Sequence, residues 1–173
     1  MIEIIEANLN LPTHAEALVQ LMNAYALDLM GGSQGLSDDV KANLPAELTK
    51  RESAHVILAF VDGNPAGLIV CFEGFSTFAC KPLLNIHDVI VALPYRGRGL
   101  SKLLLQKVEE IAVKLGCCKL TLEVLEGNYV AQAAYKAFGF NGYELDPQMG
   151  KALFWEKKLE NFSRNEPYRP VLT

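Results

Sequence analysis

Gly97 and Gly99 stand one residue apart, with Arg96, Arg98 and Lys102 around them. Glycine lets an anion approach the main chain closely, and the three cations surround that approach with positive charge. Such a turn suits the holding of a phosphate or pyrophosphate. An ordinary solvent-facing turn with basic residues is the plainer alternative. Just upstream, His87 and Asp88 interrupt an otherwise apolar run. An imidazole takes and returns protons near neutral pH. A polar side chain buried without a partner costs ~1–3 kcal/mol. At least one of the two should therefore face a cleft or a hydrogen-bond partner. In a regular strand they point to opposite faces unless a bulge intervenes. Asp28, Asp38, Asp39, Glu73 and Glu123 are further acids able to bind a cation, and each equally suits a solvated surface.

These residues need elements to position them. Val89, Ile90 and Val91 belong to an apolar, β-branched run over 84–91, which reads as a buried strand. Pro94 cannot donate to a ladder, so the strand should stop before it. After the glycines, Leu100, Leu104, Val108, Ile111 and Leu115 recur at spacings of three and four, the stripe of an amphipathic helix that Gly116 ends. The unit is strand, glycine turn, helix. A helix N-terminus offers unpaired N–H groups and partial positive charge, which completes a cradle for pyrophosphate. Two other phosphate loops fit poorly. A dinucleotide fingerprint needs a third glycine where Lys102 stands, and Gly150-Lys151 is followed by Ala152 instead of Ser or Thr.

The run Arg96-Gly97-Arg98-Gly99-Leu100-Ser101 resembles the acyl-CoA pyrophosphate motif of the GNAT N-acetyltransferases: Gln or Arg, two residues, Gly, one residue, then Gly or Ala. Ser101 departs from the last position but is small. A second block, Asn128 followed by Ala134-Tyr135-Lys136-Ala137-Phe138-Gly139-Phe140, is similar to that family's Asn…Tyr…Gly-Phe segment. With the strand before the first block, the resemblance covers roughly residues 54–159, and the first fifty match only in pattern. It implies acetyl-CoA as cosubstrate, with Arg96 to Lys102 at the pyrophosphate and Val89, Ile90 and Val91 beside the pantetheine arm. It implies that Asn128 hydrogen-bonds that arm and that Tyr135 protonates the departing thiolate. Seven residues apart, these two share a helix face. As plain structure, Asn128 would be a helix cap and Tyr135 a packing residue. His87 becomes the candidate base, and Asp28, Glu73, Asp88 and Glu123 the candidate acids for a cationic acceptor. The run Ile86 to Val91 is also similar to the acid-rich strand of the spermidine/spermine and thialysine acetyltransferases, with His87 where those carry glutamate. The expected activity is acetyl transfer to a primary amine, of a small molecule or peptide, by direct attack in a ternary complex. A non-catalytic acyl-CoA sensor or scaffold is the alternative. Family members often dimerise, which leaves a homodimer open.

Composition sets the bounds. The chain has 173 residues, 50% hydrophobic and 21% charged, with net charge −4. That suits one domain with a substantial core, expected over 1–160, and a tail over 161–173. The charge has the wrong sign for general nucleic-acid binding. No apolar run approaches the ~18 residues of a membrane span. Acids in Met1-Ile2-Glu3-Ile4-Ile5-Glu6 argue against an export signal, and with reduced cysteines they imply a cytoplasmic protein. Cys71, Cys80, Cys117 and Cys118 lack metal-ligand spacing, so no metal is expected.

Elsewhere the pattern predicts strands over 3–7, 55–61, 66–72, 120–125, 140–144 and 152–159. It predicts helices from Thr13 to Met30, from Ser37 to before Thr49, and from Asn128 to Phe138. Thr13 and Glu16 have capping-box spacing. Asp62-Gly63 marks a hairpin, and residues 74–82, with Phe75 and Phe78, a loop. Pattern alone gives an α/β or α+β domain around a mixed sheet. The resemblance implies more: a mixed, mostly antiparallel sheet with splayed central strands, flanked by helices.

Overall fold

Asp62 and Gly63 both have positive φ, 50° and 79°, the backbone of a tight turn whose twist matches that of its strands. They join β2 (Ala54–Val61) to β3 (Asn64–Ser76). Ahead of them lies β1 (Ile2–Glu6) and after them β4 (Lys81–Val91) and the short β5 (Leu120–Leu122). The computed structural model describes residues 1–143 and, beyond them, 146, 148, 150, 152–157 and 159. The chain divides into two compact units, Met1–Asn141 and Gly142–Thr173.

The sheet of the first unit has the strand order β1-β2-β3-β4-β5. The first four strands are antiparallel, and β5 runs parallel to β4. A parallel pair needs a crossover, which α3 (Leu100–Lys114) supplies. Alternate side chains of β2 and β3 then fill two cores. Ile57, Ala59, Ile69 and Cys71 pack with Leu104, Leu105 and Val108 of α3 and with Tyr135 of α4 (Tyr129–Phe138). Val56, Leu58, Leu68 and Val70 pack on the other face with Leu18 and Leu21 of α1 (Pro12–Leu27) and Leu48 of α2 (Asp38–Thr49). The fit under α3 is close: a Cβ on Gly67 would come within 2.9 Å of Leu104 Cδ1. The mixed, mostly antiparallel sheet flanked by helices agrees with the fold expected from sequence.

Several ends differ from expectation. The predicted capping box does not form: α1 begins at Pro12, behind Leu11, with no side-chain cap. Proline's fixed φ starts the helix there, so Thr13 lies inside its first turn. Helix α1 stops at Leu27, and Asp28 caps a 3₁₀ turn over Leu29–Gly31 by accepting from the Met30 N–H. β3 and β4 run into the predicted loop and leave only four residues between them. Strand β5 is three residues long instead of six. The two predicted final strands do not form among the described residues: 140–143 and 152–157 carry no ladder. Leu153, Phe154 and Trp155 expose most of their surface, so the second segment lacks the buried face of a strand. Glu144, Lys158 and the expected tail lie outside the described residues.

One polar link ties β1, β2 and β3 together. His55 Nδ1 lies 2.9 Å from Glu6 and its Nε2 2.9 Å from Glu73, with 13% of the His55 side chain exposed. Burial alone would depress the imidazolium, but hydrogen bonds and charge from the two carboxylates outweigh it and raise its pKa above the ordinary value. A raised folded pKa gives stability that is complete below the unfolded value near 6.5 and is lost as pH rises through the folded one. Denaturant melts of wild type and His55→Gln should therefore differ most near pH 6 and converge as pH rises toward 9. A difference that stays flat with pH would remove the charged clamp from the account.

Candidate functional site

Gly97 and Gly99 both have φ +76°, and a Cβ at either position would meet nothing within 4 Å. Backbone conformation, not space, requires glycine there. Gly99 is the N-cap of α3, so Leu100 and Ser101 begin the helix. Among the described residues, the main-chain N–H groups of Gly97, Arg98, Gly99, Leu100 and Ser101 have no protein acceptor. That is five adjacent donors at the positive end of a helix dipole. Arg98 lies 5.6 Å above the Tyr95 ring, and Lys102 is exposed in the first turn of α3. Arg96 does something else. Its Nε donates to the Val91 carbonyl at 2.8 Å and its Nη2 to Asp28 at 2.8 Å.

The strand feeding this turn is irregular in two ways. β4 pairs with β5 only over Leu84, Asn85 and Ile86. From His87 to Val91 its outer edge has no ladder partner among the described residues. Toward β3, the register passes from Cys71↔Ile86 to Val70↔Asp88, so His87 is an extra residue in a β-bulge. The bulge resolves the question of faces. Ile86 packs toward α3, whereas Asp88, opposite Val70, and Ile90, opposite Leu68, belong to the α1/α2 face. His87 joins that face, its ring edge-on to Phe72 at 5.5 Å. Main-chain groups alternate along a strand as side chains do. The Ile90 carbonyl lies against Gly67 and the Ala92 N–H donates to Ala66, both on the β3 side. Val89 and Val91 therefore turn their N–H and C=O groups to the open edge.

Tyr135 belongs to the α3/α4 core and is 9% exposed, edge-on to Phe140. Burial, with the nearby Tyr25 adding to it, pushes its hydroxyl up to about 12. Tyr25 belongs to α1, on the other face. Its own pKa is raised by burial and by the charges of Asp88 and Asp28. Tyr25, Asp28, His87 and Asp88 thus cluster beside the unpaired part of β4. Burial raises the half-buried Asp88 carboxyl, with His87 pulling the other way.

Two predicted acids are not brought to this cluster. Glu73, opposite Leu84 in the register, lies on the α3/α4 face and holds His55. Glu123 is exposed, just past the end of β5. Asn128 is the N-cap of α4, its Oδ1 accepting from the Ala131 N–H at 3.1 Å, which leaves its amide nitrogen as a donor. Tyr25 stands in the last turn of α1, two residues before Leu27, where the charges of Asp88 and Asp28 act on it. A separate cavity of ≈260 Å³, bordered by Glu6, Asn8, Leu48, Arg51 and Glu52, contains none of these residues except the Glu6 that holds His55. Among the described residues no group of His, Cys, Asp or Glu is placed to hold a metal ion. No helix there is long and apolar enough to cross a membrane.

Chemically, an anion fits the five amides, and an extended amide-bearing chain can pair with the open edge of β4 at Val89 and Val91. Tyr135 offers a protonated phenol, and the adjacent His87 and Asp88 an imidazole and a carboxylate. Comparison with known proteins gives these parts a context. The sequence model of the acetyltransferase (GNAT) family matches residues 18–140. The chain is 35% identical over 81 residues to a thialysine N-epsilon-acetyltransferase of Bos taurus, covering 44% of this chain and 48% of that one. It is 35% identical over 119 residues to an L-ornithine N5-acetyltransferase of Arabidopsis thaliana, covering 69% of this chain and 47% of that one. The matches thus span about half the length of these two relatives. A solved aminoglycoside N-acetyltransferase in complex with CoA superposes with TM-score 0.73 at 20% identity, covering 92% of this chain and 96% of that one. At that identity the likeness concerns the fold.

Proposed function

The chain belongs to the acetyltransferase (GNAT) family, and from that premise we propose that it transfers an acetyl group from acetyl-CoA to a primary amine on a small cationic acceptor. The observation that carries this reading is the run of five free amides at the head of α3, next to the edge of β4 that has no ladder partner after Ile86 among the described residues. Thialysine and ornithine, named for the bovine and Arabidopsis relatives, both present primary amines.

The donor set suits acetyl-CoA. The amides of Gly97 to Ser101 would take the pyrophosphate, with Arg98 and Lys102 adding charge. Val89 and Val91 would hydrogen-bond the pantetheine amides, and Asn128 has an amide donor to contribute. Acetyl-CoA supplies a thioester carbon for the amine to attack and a thiolate to leave. An open-edge N–H of β4 is a fixed dipole, able to hold the carbonyl oxygen as charge develops there.

Protons must move at both ends. An alkylamine of pKa ~10.4 is free base in only about 1 part in 2,500 at pH 7, so losing its proton is part of the work. Asp88 would attract the ammonium, and His87, beside it on the same face, would take the proton. Tyr135, with its hydroxyl up at about 12, keeps its proton at neutral pH and can donate it to the thiolate. Asp28 is committed to Arg96 and Glu73 to His55, so neither anchors the acceptor in this scheme.

Acetyl-CoA consumption over a panel of polyamines, basic amino acids and aminoglycosides tests the activity itself. On the best acceptor, Tyr135→Phe should leave acetyl-CoA affinity within about two-fold and lower kcat by ~10²–10⁴. A kcat within about a factor of two of wild type would make Tyr135 a packing residue. His87→Ala should depress turnover at pH 7 and recover toward wild type at high pH, where the amine deprotonates unaided. A loss equal at every pH would deny His87 the proton.

A further inference from the structure

Arg96 opens the glycine turn, where a cation would ordinarily be counted toward the phosphate. Its guanidinium is already engaged. Nε donates to Val91, whose carbonyl faces the open edge of β4, and Nη2 donates to Asp28 Oδ2, both at 2.8 Å. The Asp28 carboxylate is engaged as well. Its Oδ1 accepts from the Met30 N–H at 3.0 Å, and 20% of its side chain is exposed. One side chain therefore joins the end of β4, the segment after α1 and the start of the turn.

We propose that Asp28 and Arg96 are positioning residues for the acyl-CoA turn, setting the affinity for CoA without either side chain touching it. This rests on the acetyl-CoA reading above. The physical need is plain. Five adjacent amides hold an anion only if their directions are fixed, yet Gly97 and Gly99 are the residues least able to fix a backbone. The turn is attached at one end by α3 and at the other by Arg96, whose own N–H donates to the Leu93 carbonyl at 3.3 Å. Fixing the turn in its binding shape beforehand spares CoA the entropy of ordering it. The hydrogen bond from Arg96, followed by that from Met30, holds the Asp28 carboxyl below its ordinary pKa, so the pair stays charged through the neutral range. Phosphate attraction is left to Arg98 and Lys102.

Calorimetry with CoA on the full chain separates the possibilities. Asp28→Asn keeps the acceptor for Met30 and removes the charge. It should raise the Kd for CoA by roughly ten-fold, the scale of one lost charge-assisted hydrogen bond. Arg96→Gln should do the same, and the double variant should be no worse than the worse single. Arg96→Lys should fail to restore binding, because one ammonium cannot reproduce the two-armed guanidinium geometry. In turnover, the effect of Asp28→Asn should fall on KM for acetyl-CoA more than on kcat. Full rescue by Arg96→Lys would show a direct phosphate charge and overturn the proposal. So would an unchanged CoA Kd in Asp28→Asn, with KM for the acceptor raised instead. A lowered melting temperature with parallel losses in kcat and KM would reduce the pair to a structural contact and equally overturn it. A wild-type chain that does not bind CoA would fail the cosubstrate reading itself, and this inference with it.

Discussion

Everything at the site follows from two strands that pair for three residues and then stop. Leu84, Asn85 and Ile86 meet Leu120, Thr121 and Leu122, and from His87 onward that side of β4 has no ladder partner among the described residues. Main-chain groups left this way need other partners. Arg96 takes the Val91 carbonyl, and the groups of Val89 and the Val91 N–H stay available to a ligand. The bulge at His87 turns His87 and Asp88 together to the α1/α2 face.

Charge is distributed with the same economy. The protein is net negative, −4 over 173 residues, yet its glycine turn presents a local positive field from a helix N-terminus, Arg98 and Lys102. Asp88 stands on the α1/α2 face, nine residues before Gly97 along the chain, whereas Asp28, 68 residues before Arg96, reaches the turn through that arginine. Pairing Asp28 with Arg96 keeps a carboxylate near the turn from opposing an anion. Burial raises the Asp88 carboxyl, and the neighbouring His87 acts in the opposite direction.

Much of this was legible in the sequence, for identifiable reasons. Strand, glycine turn and α3 could be read because apolar periodicity and positive-φ glycines are local signals. Asn128 and Gly139 marked the ends of α4 for the same reason: the cap hydrogen bond and the αL residue are made within the segment itself. What failed depended on distant partners. Thr13 and Glu16 had capping spacing, but Pro12 set the start of α1. Residues 140–143 and 152–157 had strand-like composition without a ladder among the described residues. Two contacts of expected site residues also lie beyond local pattern: the register of β2 and β3 brings Glu73 to His55, and Arg96 meets Asp28, 68 residues away. Spacing cannot announce such a pair.

The central claim is that an acyl-CoA pyrophosphate rests on the free amides of the turn while its arm lies along the open edge of β4. Titrating ¹⁵N-labelled protein with CoA and following backbone amide shifts addresses this directly. The account predicts that the largest changes fall on Gly97, Arg98, Gly99, Leu100 and Ser101, with Val89 and Val91 shifting alongside them and Ile90, whose groups face β3, shifting less. Saturable CoA binding that leaves those turn amides unmoved, or no CoA binding at all, would contradict it.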